Sequence, residues 1–185
     1  MSLSIKAQKN LNLQKITFSN SCSTPGWMPE RKKEFRKNAD GYFRKVIQSN
    51  PLFKDKDAEV LYFQHGVGSI VAKITLSSGE IYVIKTTETP NRTVAEIKAY
   101  EAMSNNGIKV PEVYFEGIVD EYPFLVIEYF DQGTLKDALK DEKITLVEVG
   151  RIKGEVFIAL QKIKGKGYGW PLDYDGEFVF GNFSD

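Results

Sequence analysis

Two side chains on which many functional sites depend are nearly missing from this chain, which has one cysteine, Cys22, and one histidine, His65. A single thiol excludes an internal disulfide and suits a reducing compartment, so the sequence predicts a cytoplasmic protein. One histidine and one cysteine are also too few soft ligands for a zinc site. Neither sign of charge is in excess, because 25 Lys and Arg balance 25 Asp and Glu. No global field therefore draws the chain to nucleic acid or to a membrane surface. No apolar run approaches the roughly 20 residues that cross a bilayer, and the N-terminus lacks the apolar core of a signal peptide. There is no internal repeat and no low-complexity tract. What remains is an ordinary globular composition over 185 residues, enough for one core and part of a second domain.

Residues 1–28 hold short alternating pieces (Leu11, Leu13, Ile16, Phe18) and then a turn-rich Ser-Asn-Ser-Cys-Ser-Thr-Pro-Gly, which predicts an arm with little structure of its own. Pro29 suits the first turn of a helix. Phe35, Ala39, Tyr42, Phe43, Val46 and Ile47 then recur at helical spacing, predicting one helix from Glu30 to Ser49 that ends at Asn50-Pro51. Arg31, Lys32, Lys33, Arg36, Lys37, Arg44 and Lys45 fall on its outer side. Such a basic face suits phosphate or nucleic acid. With no aromatic interleaving and no known module, a solvated face is the better reading.

From Ala58 the pattern is strand-like. Val60 to Gln64, Ile70 to Leu76 and Ile81 to Lys85 predict an antiparallel meander joined by His65-Gly66-Val67-Gly68-Ser69 and Ser77-Ser78-Gly79. Strand alternation puts Ile81, Val83 and Lys85 on one face. After Pro90, Asn91 or Thr93 caps a helix whose inward face carries Ala95, Glu96, Ala99, Tyr100 and Met103, and Asn105-Asn106-Gly107 stops it. A Lys at a strand end and a Glu on the next helix meet if the two elements pack. Taken alone, such residues are more often a solvated Lys and a surface carboxylate. Gly66 and Gly68 let backbone N–H groups approach a phosphate closely, although most such turns are only hairpins.

Val110 to Gly117 and Tyr122 to Phe130 predict a fourth and a fifth strand. Thr134 caps a short helix over Leu135 to Leu139. A longer helix follows over 145–163, with Leu146, Val149, Ile152, Val156, Leu160 and Ile163 as its apolar stripe, and Gly165 to Gly169 breaks it.

This order of sheet, Lys, Glu helix, Val-Pro-Glu-Val strand and Phe-Leu-Val-Ile-Glu-Tyr-Phe before Gly-Thr-Leu resembles the N-terminal lobe and hinge of the protein-kinase-like fold. Ala95 to Met103 with the following Gly-Ile-Lys-Val-Pro-Glu-Val is similar to the aminoglycoside phosphotransferase family, a group of small-molecule kinases. So are Leu160-Gln161-Lys162-Ile163, Gly167-Tyr168-Gly169-Trp170 and a later Gly-Glu-Phe. The resemblance covers roughly Val60 to Phe183, and no one of its motifs is specific by itself. It implies an α+β fold in which 1–57 form an arm and basic amphipathic helix. Residues 58–130 would form a five-stranded antiparallel sheet with one packed helix, and 131–185 the hinge exit and a truncated C-terminal lobe. The resemblance further implies ATP as cofactor, with Lys85 on the α and β phosphates and Glu96 orienting it, Glu101 being the alternative partner. Val83 would form a wall for adenine, with Ile127 behind the base. The Glu128 carbonyl and Phe130 amide would bond the base edge, while Gly66, Gly68 and Ser69 would cover the phosphates.

One departure qualifies this. The family's His-Gly-Asp-like catalytic loop, its downstream Asn and its later metal-binding Asp should follow Gly-Tyr-Gly-Trp, and the sequence to Asp185 lacks them. No catalytic or metal-ligating residue is therefore assigned, and Mg²⁺ is expected only with the missing C-terminal lobe. The expected function is the nucleotide-binding portion of an ATP-dependent small-molecule phosphotransferase. The alternatives are a non-catalytic kinase-like binding or regulatory module, and an unrelated α+β domain. Expected partners are a nucleotide and either the missing lobe or a second copy through helix 145–163, with no nucleic acid and no membrane.

Overall fold

The computed structural model describes residues 14–64, 68–87 and 90–163. Alternation decides its central sheet. In the strand Ile70–Leu76, the residues Ile70, Ala72, Ile74 and Leu76 are buried while Val71, Lys73 and Thr75 are half-buried, so both faces of the sheet are covered unequally. Six strands are present among the described residues: β1 (Ile16–Phe18), β2 (Ala58–Tyr62), β3 (Ile70–Leu76), β4 (Ile81–Thr86), β5 (Val113–Val119) and β6 (Tyr122–Glu128). They lie in the order β1-β2-β3-β4-β6-β5, antiparallel except where β1 pairs parallel to β2. The fold is mixed α+β.

One face of the sheet packs on the two N-terminal helices α1 (Glu30–Lys37) and α2 (Ala39–Ser49). Phe35, Ala39, Tyr42, Phe43, Val46 and Ile47 meet Val60, Ile74, Ile84 and Val126 in one apolar cluster. Phe43, Val46 and Ile47 are fully removed from water, and each such side chain contributes about 1.5–3 kcal/mol of transfer free energy. The opposite face carries a smaller cluster built on Val83, Leu125 and Ile127, against which Ile97 and Tyr100 of α3 (Pro90–Asn105) pack.

Several expectations need correction. The sheet has six strands, because part of the predicted arm is ordered as β1, with Ile16 opposite Ala58. The Ala58 amide donates to the Lys15 carbonyl and the Ser19 amide to the Val60 carbonyl, both at 2.9 Å. Asn20 accepts from the Tyr62 amide at 2.7 Å, so the arm covers polar groups along the β2 edge. The predicted helix Glu30–Ser49 is divided at Asn38, whose φ of −96° and ψ of 7° lie outside the helical well. Arg36 belongs to the interior, at 5% exposure, and Arg44 lies over the Phe18 ring at 5.3 Å. The predicted basic face is thus partly consumed inside the fold.

The glutamate helix begins at Pro90 itself, ahead of both predicted caps, in keeping with proline at a first helical position. Beyond β6, Thr134 caps α4 (Leu135–Lys140) and Thr145 caps α5 (Leu146–Leu160), each in a reciprocal box with the carboxylate three residues on, Asp137 and Glu148. No residue of α5 is buried, and Leu146, Val147, Phe157 and Ile158 are 72%, 82%, 61% and 59% exposed. Gly66 and the Gly-Tyr-Gly-Trp segment lie outside the described residues. No helix among the described residues is long and apolar enough to cross a membrane.

Candidate functional site

The pairing register assembles the site. Lys85 of β4 lies between Val71 of β3 and Leu125 of β6, and Val83 lies between Lys73 and Ile127. Antiparallel partners project to the same side of a sheet, so these six side chains share the face that α3 covers. Val83, Leu125 and Ile127 are buried there, with Val71, Val113 and Tyr129 packed beside them. The result is an apolar floor with the Lys85 ammonium at its edge.

The Lys85 ammonium is ion-paired with Glu96 of α3, and both side chains are largely withdrawn from water, at 28% and 19% exposure. The pair is therefore unlike the exposed ion pairs of this molecule, such as Arg151–Glu155, whose side chains are each 62% exposed. Glu96 has a second donor, the Tyr100 hydroxyl, at 2.5 Å on the same oxygen. Burial first, and the neighbouring Glu96 carboxylate second, hold the Tyr100 phenol well above its ordinary ionisation range. It remains a hydrogen-bond donor throughout the neutral range. Glu101, the alternative partner, instead lines a cavity of about 490 Å³ between α3 and β5, along with Ile97, Tyr100, Val113 and Glu128.

The remaining predicted residues surround this core. Glu128 ends β6 and its amide donates to the Glu112 carbonyl at 2.8 Å. Just after it, Lys73 lies over the Tyr129 ring and Lys109 over the Phe130 ring, each at 5.0 Å. The Gly68 carbonyl accepts from the Thr87 hydroxyl at 3.4 Å, and the Ser69 carbonyl from the Arg36 guanidinium at 2.9 Å. The exit of the glycine turn is thus tied to the end of the Lys85 strand.

Sequence reasoning passed over Val71, Lys73, Tyr100 and Leu125 as site residues. Leu125 stands two residues before Ile127, so strand alternation was a usable signal for it, as it was for Val71 and Lys73 once β3 and β4 are paired. Tyr100 follows Glu96 by one helical turn. Chemically, a half-buried ammonium beside an apolar floor suits a ligand with an anionic end and a flat apolar end. The ammonium has three donors, which leaves capacity beyond its bond to Glu96. Among the described residues, no three His, Cys, Asp or Glu side chains gather to hold a metal ion. Compared with known proteins, the chain matches no family model and no curated sequence.

Proposed function

We propose that this chain is the nucleotide-binding portion of an ATP-dependent small-molecule phosphotransferase of the aminoglycoside phosphotransferase kind, with a protein-kinase-like N-terminal lobe. The observation that carries this reading is the Lys85–Glu96 ion pair at the edge of the Val83–Leu125–Ile127 floor. Lys85 binds the α and β phosphates, and its charge makes those hydrogen bonds the strong kind. Val71 and Val83 contact one face of the base, and the chain from Glu128 to Phe130 offers backbone groups to its edge. Gly68 and Ser69 approach the phosphates. Mg²⁺ accompanies ATP in phosphotransferases, but the described residues supply no ligand set for it, and no step is assigned to it. In this reading the acceptor and the remaining catalytic groups come from elsewhere, and α5 is where the further lobe or a second copy attaches.

A thermal-shift titration with ATP tests the reading. A ligand that binds only the folded state at ~100 times its dissociation constant adds ~2.7 kcal/mol of stability. The midpoint should rise with millimolar ATP, and Lys85→Ala should remove most of that rise. No rise for the unaltered chain would refute the nucleotide reading.

A further inference from the structure

Arg36 is the only arginine among the buried residues of the described fold, and it belongs to α1, well before the strand of Lys85 in the sequence. Its guanidinium donates to the Ser23 carbonyl at 3.1 Å and to the Ser69 carbonyl at 2.9 Å, with Cys22 Sγ at 3.9 Å. Burying a cation costs several kcal/mol unless strong bonds compensate, and a planar guanidinium gives back most when its donors meet fixed acceptors. Here those acceptors lie on two segments, the one after β1 and the exit of the glycine turn. The next carbonyl back, that of Gly68, is held by Thr87 Oγ1 at 3.4 Å. Thr87 is itself buried and follows Lys85 by two residues.

A trans peptide is planar, so its carbonyl and the following N–H point in opposite directions. Holding the Gly68 and Ser69 carbonyls therefore sets the directions of the Ser69 and Ile70 amides. Arg36 and Thr87 draw these carbonyls toward the body of the protein. The same brace joins the turn to the strand that positions the Lys85 ammonium. Arg36 and Thr87 are not members of the apolar cluster of Val83, Leu125 and Ile127.

We infer that Arg36, aided by Thr87, is a positioning residue for the phosphate end of a nucleotide: it holds the glycine-turn exit in register with Lys85 and has no part in holding the base. This inference rests on the nucleotide reading above. It separates two ligands that differ only in their phosphates, ATP and adenosine.

The experiment is calorimetric titration of the whole chain with each of these ligands, for the unaltered protein, Arg36→Gln and Thr87→Val. Loss of one positioning hydrogen bond should weaken ATP binding about fivefold or more, with adenosine affinity unchanged in both variants. A purely structural role would lower the unliganded melting midpoint and leave both affinities alone, or weaken both ligands equally. Either result overturns the inference while leaving the nucleotide reading standing. An unaltered chain that binds neither ligand overturns the nucleotide reading and this inference with it. If Arg36→Gln does not fold, Thr87→Val decides by the same comparison, because it removes one hydroxyl and no buried charge.

Discussion

The Tyr100 hydroxyl donates to the same Glu96 oxygen that holds the Lys85 ammonium. One carboxylate oxygen thus accepts two donors, one from its own helix a turn away and one from the neighbouring strand. Without the tyrosine, the Glu96 side chain would be fixed only by the lysine it is supposed to orient. Tyr100→Phe should therefore weaken ATP binding by about fivefold, the worth of one hydrogen bond, and Lys85→Ala by more. Calorimetric titration of the two variants checks the order. Equal affinities for Tyr100→Phe and the unaltered chain would remove the tyrosine from the site.

Tyr42, Tyr62 and Tyr100 share a second consequence. Burial raises the ionisation of all three well above the ordinary tyrosine range, and Asp40 adds to the effect at Tyr62 and Glu96 at Tyr100. In the unfolded chain these phenols lose their protons near pH ~10 while the folded chain keeps them. The unfolded state then binds fewer protons, so stability falls as pH rises past that point. The melting midpoint should be level from neutral to about pH 9 and drop beyond it. Tyr62→Phe, which removes the hydroxyl that donates to Asp40 at 2.8 Å, should soften the alkaline drop. A midpoint that does not change up to about pH 11 would sink this account.

What was legible in the sequence was whatever periodicity and local chemistry encode. The β3 and β4 strands, the glutamate helix and the cap Thr134 follow from alternation, helical spacing and a capping residue close in sequence. So did the meeting of Lys85 with Glu96, since a strand face and a helix face determine it between them. β1 was not legible because three residues are too few to show a period, and its partner Ala58 lies 42 positions away. Arg36 was misplaced because a charged side chain is assigned outward by default. Yet it precedes Ala39 by three residues and Phe43 by seven, which is the inward spacing. The row Val71–Lys85–Leu125 needed the register of three strands, and register is a tertiary fact.

The nucleotide reading carries an expectation about chemistry. Phosphoryl transfer depends on a positioned base and on metal ions that neutralise developing charge. The only histidine, His65, precedes the Lys85 strand, and the nucleotide reading assigns neither role to a residue of this chain. The chain should bind ATP yet release no phosphate above background in magnesium buffer, with or without an aminoglycoside acceptor. Turnover abolished by Lys85→Ala would show that the catalytic groups are in this chain after all.

The two capping boxes predict an acid response confined to one region. The Thr134 hydroxyl and backbone hold the Asp137 carboxylate below its ordinary range, and the Thr145 backbone and hydroxyl do the same for Glu148. A depressed carboxylate contributes stability above its unfolded value, and loses it as pH falls through the folded value. Acidification below about pH 4 should therefore fray the first turns of α4 and α5. Amide exchange at Asp137 and Glu148, whose amides donate to the two threonine hydroxyls, should quicken there before β3 or β4 responds. Glu148→Gln should blunt the change at α5. Simultaneous loss across the sheet would contradict this order.

The apolar stripe of α5 gives the last prediction. Of that stripe, Leu146 and Val156 are 72% and 41% exposed while Val149, Ile152, Leu160 and Ile163 are half-buried. Phe157 and Ile158, outside it, are more than half exposed, and among the described elements α5 contacts α4. Each large apolar side chain left in water forgoes ~1.5–3 kcal/mol of transfer free energy, so several together approach the net stability of a domain. None of these residues joins either cluster of the sheet. A polar substitution there should leave the sheet intact and act on whatever covers the stripe. Leu146→Ser with Phe157→Ser should leave the ATP-dependent rise in melting midpoint unchanged. If a second copy covers the stripe, the same pair should lower the mass seen by light scattering from dimer to monomer. A chain that is monomeric before and after, and that loses several degrees of midpoint on substitution, would place these side chains against its own residues and refute self-association through 145–163.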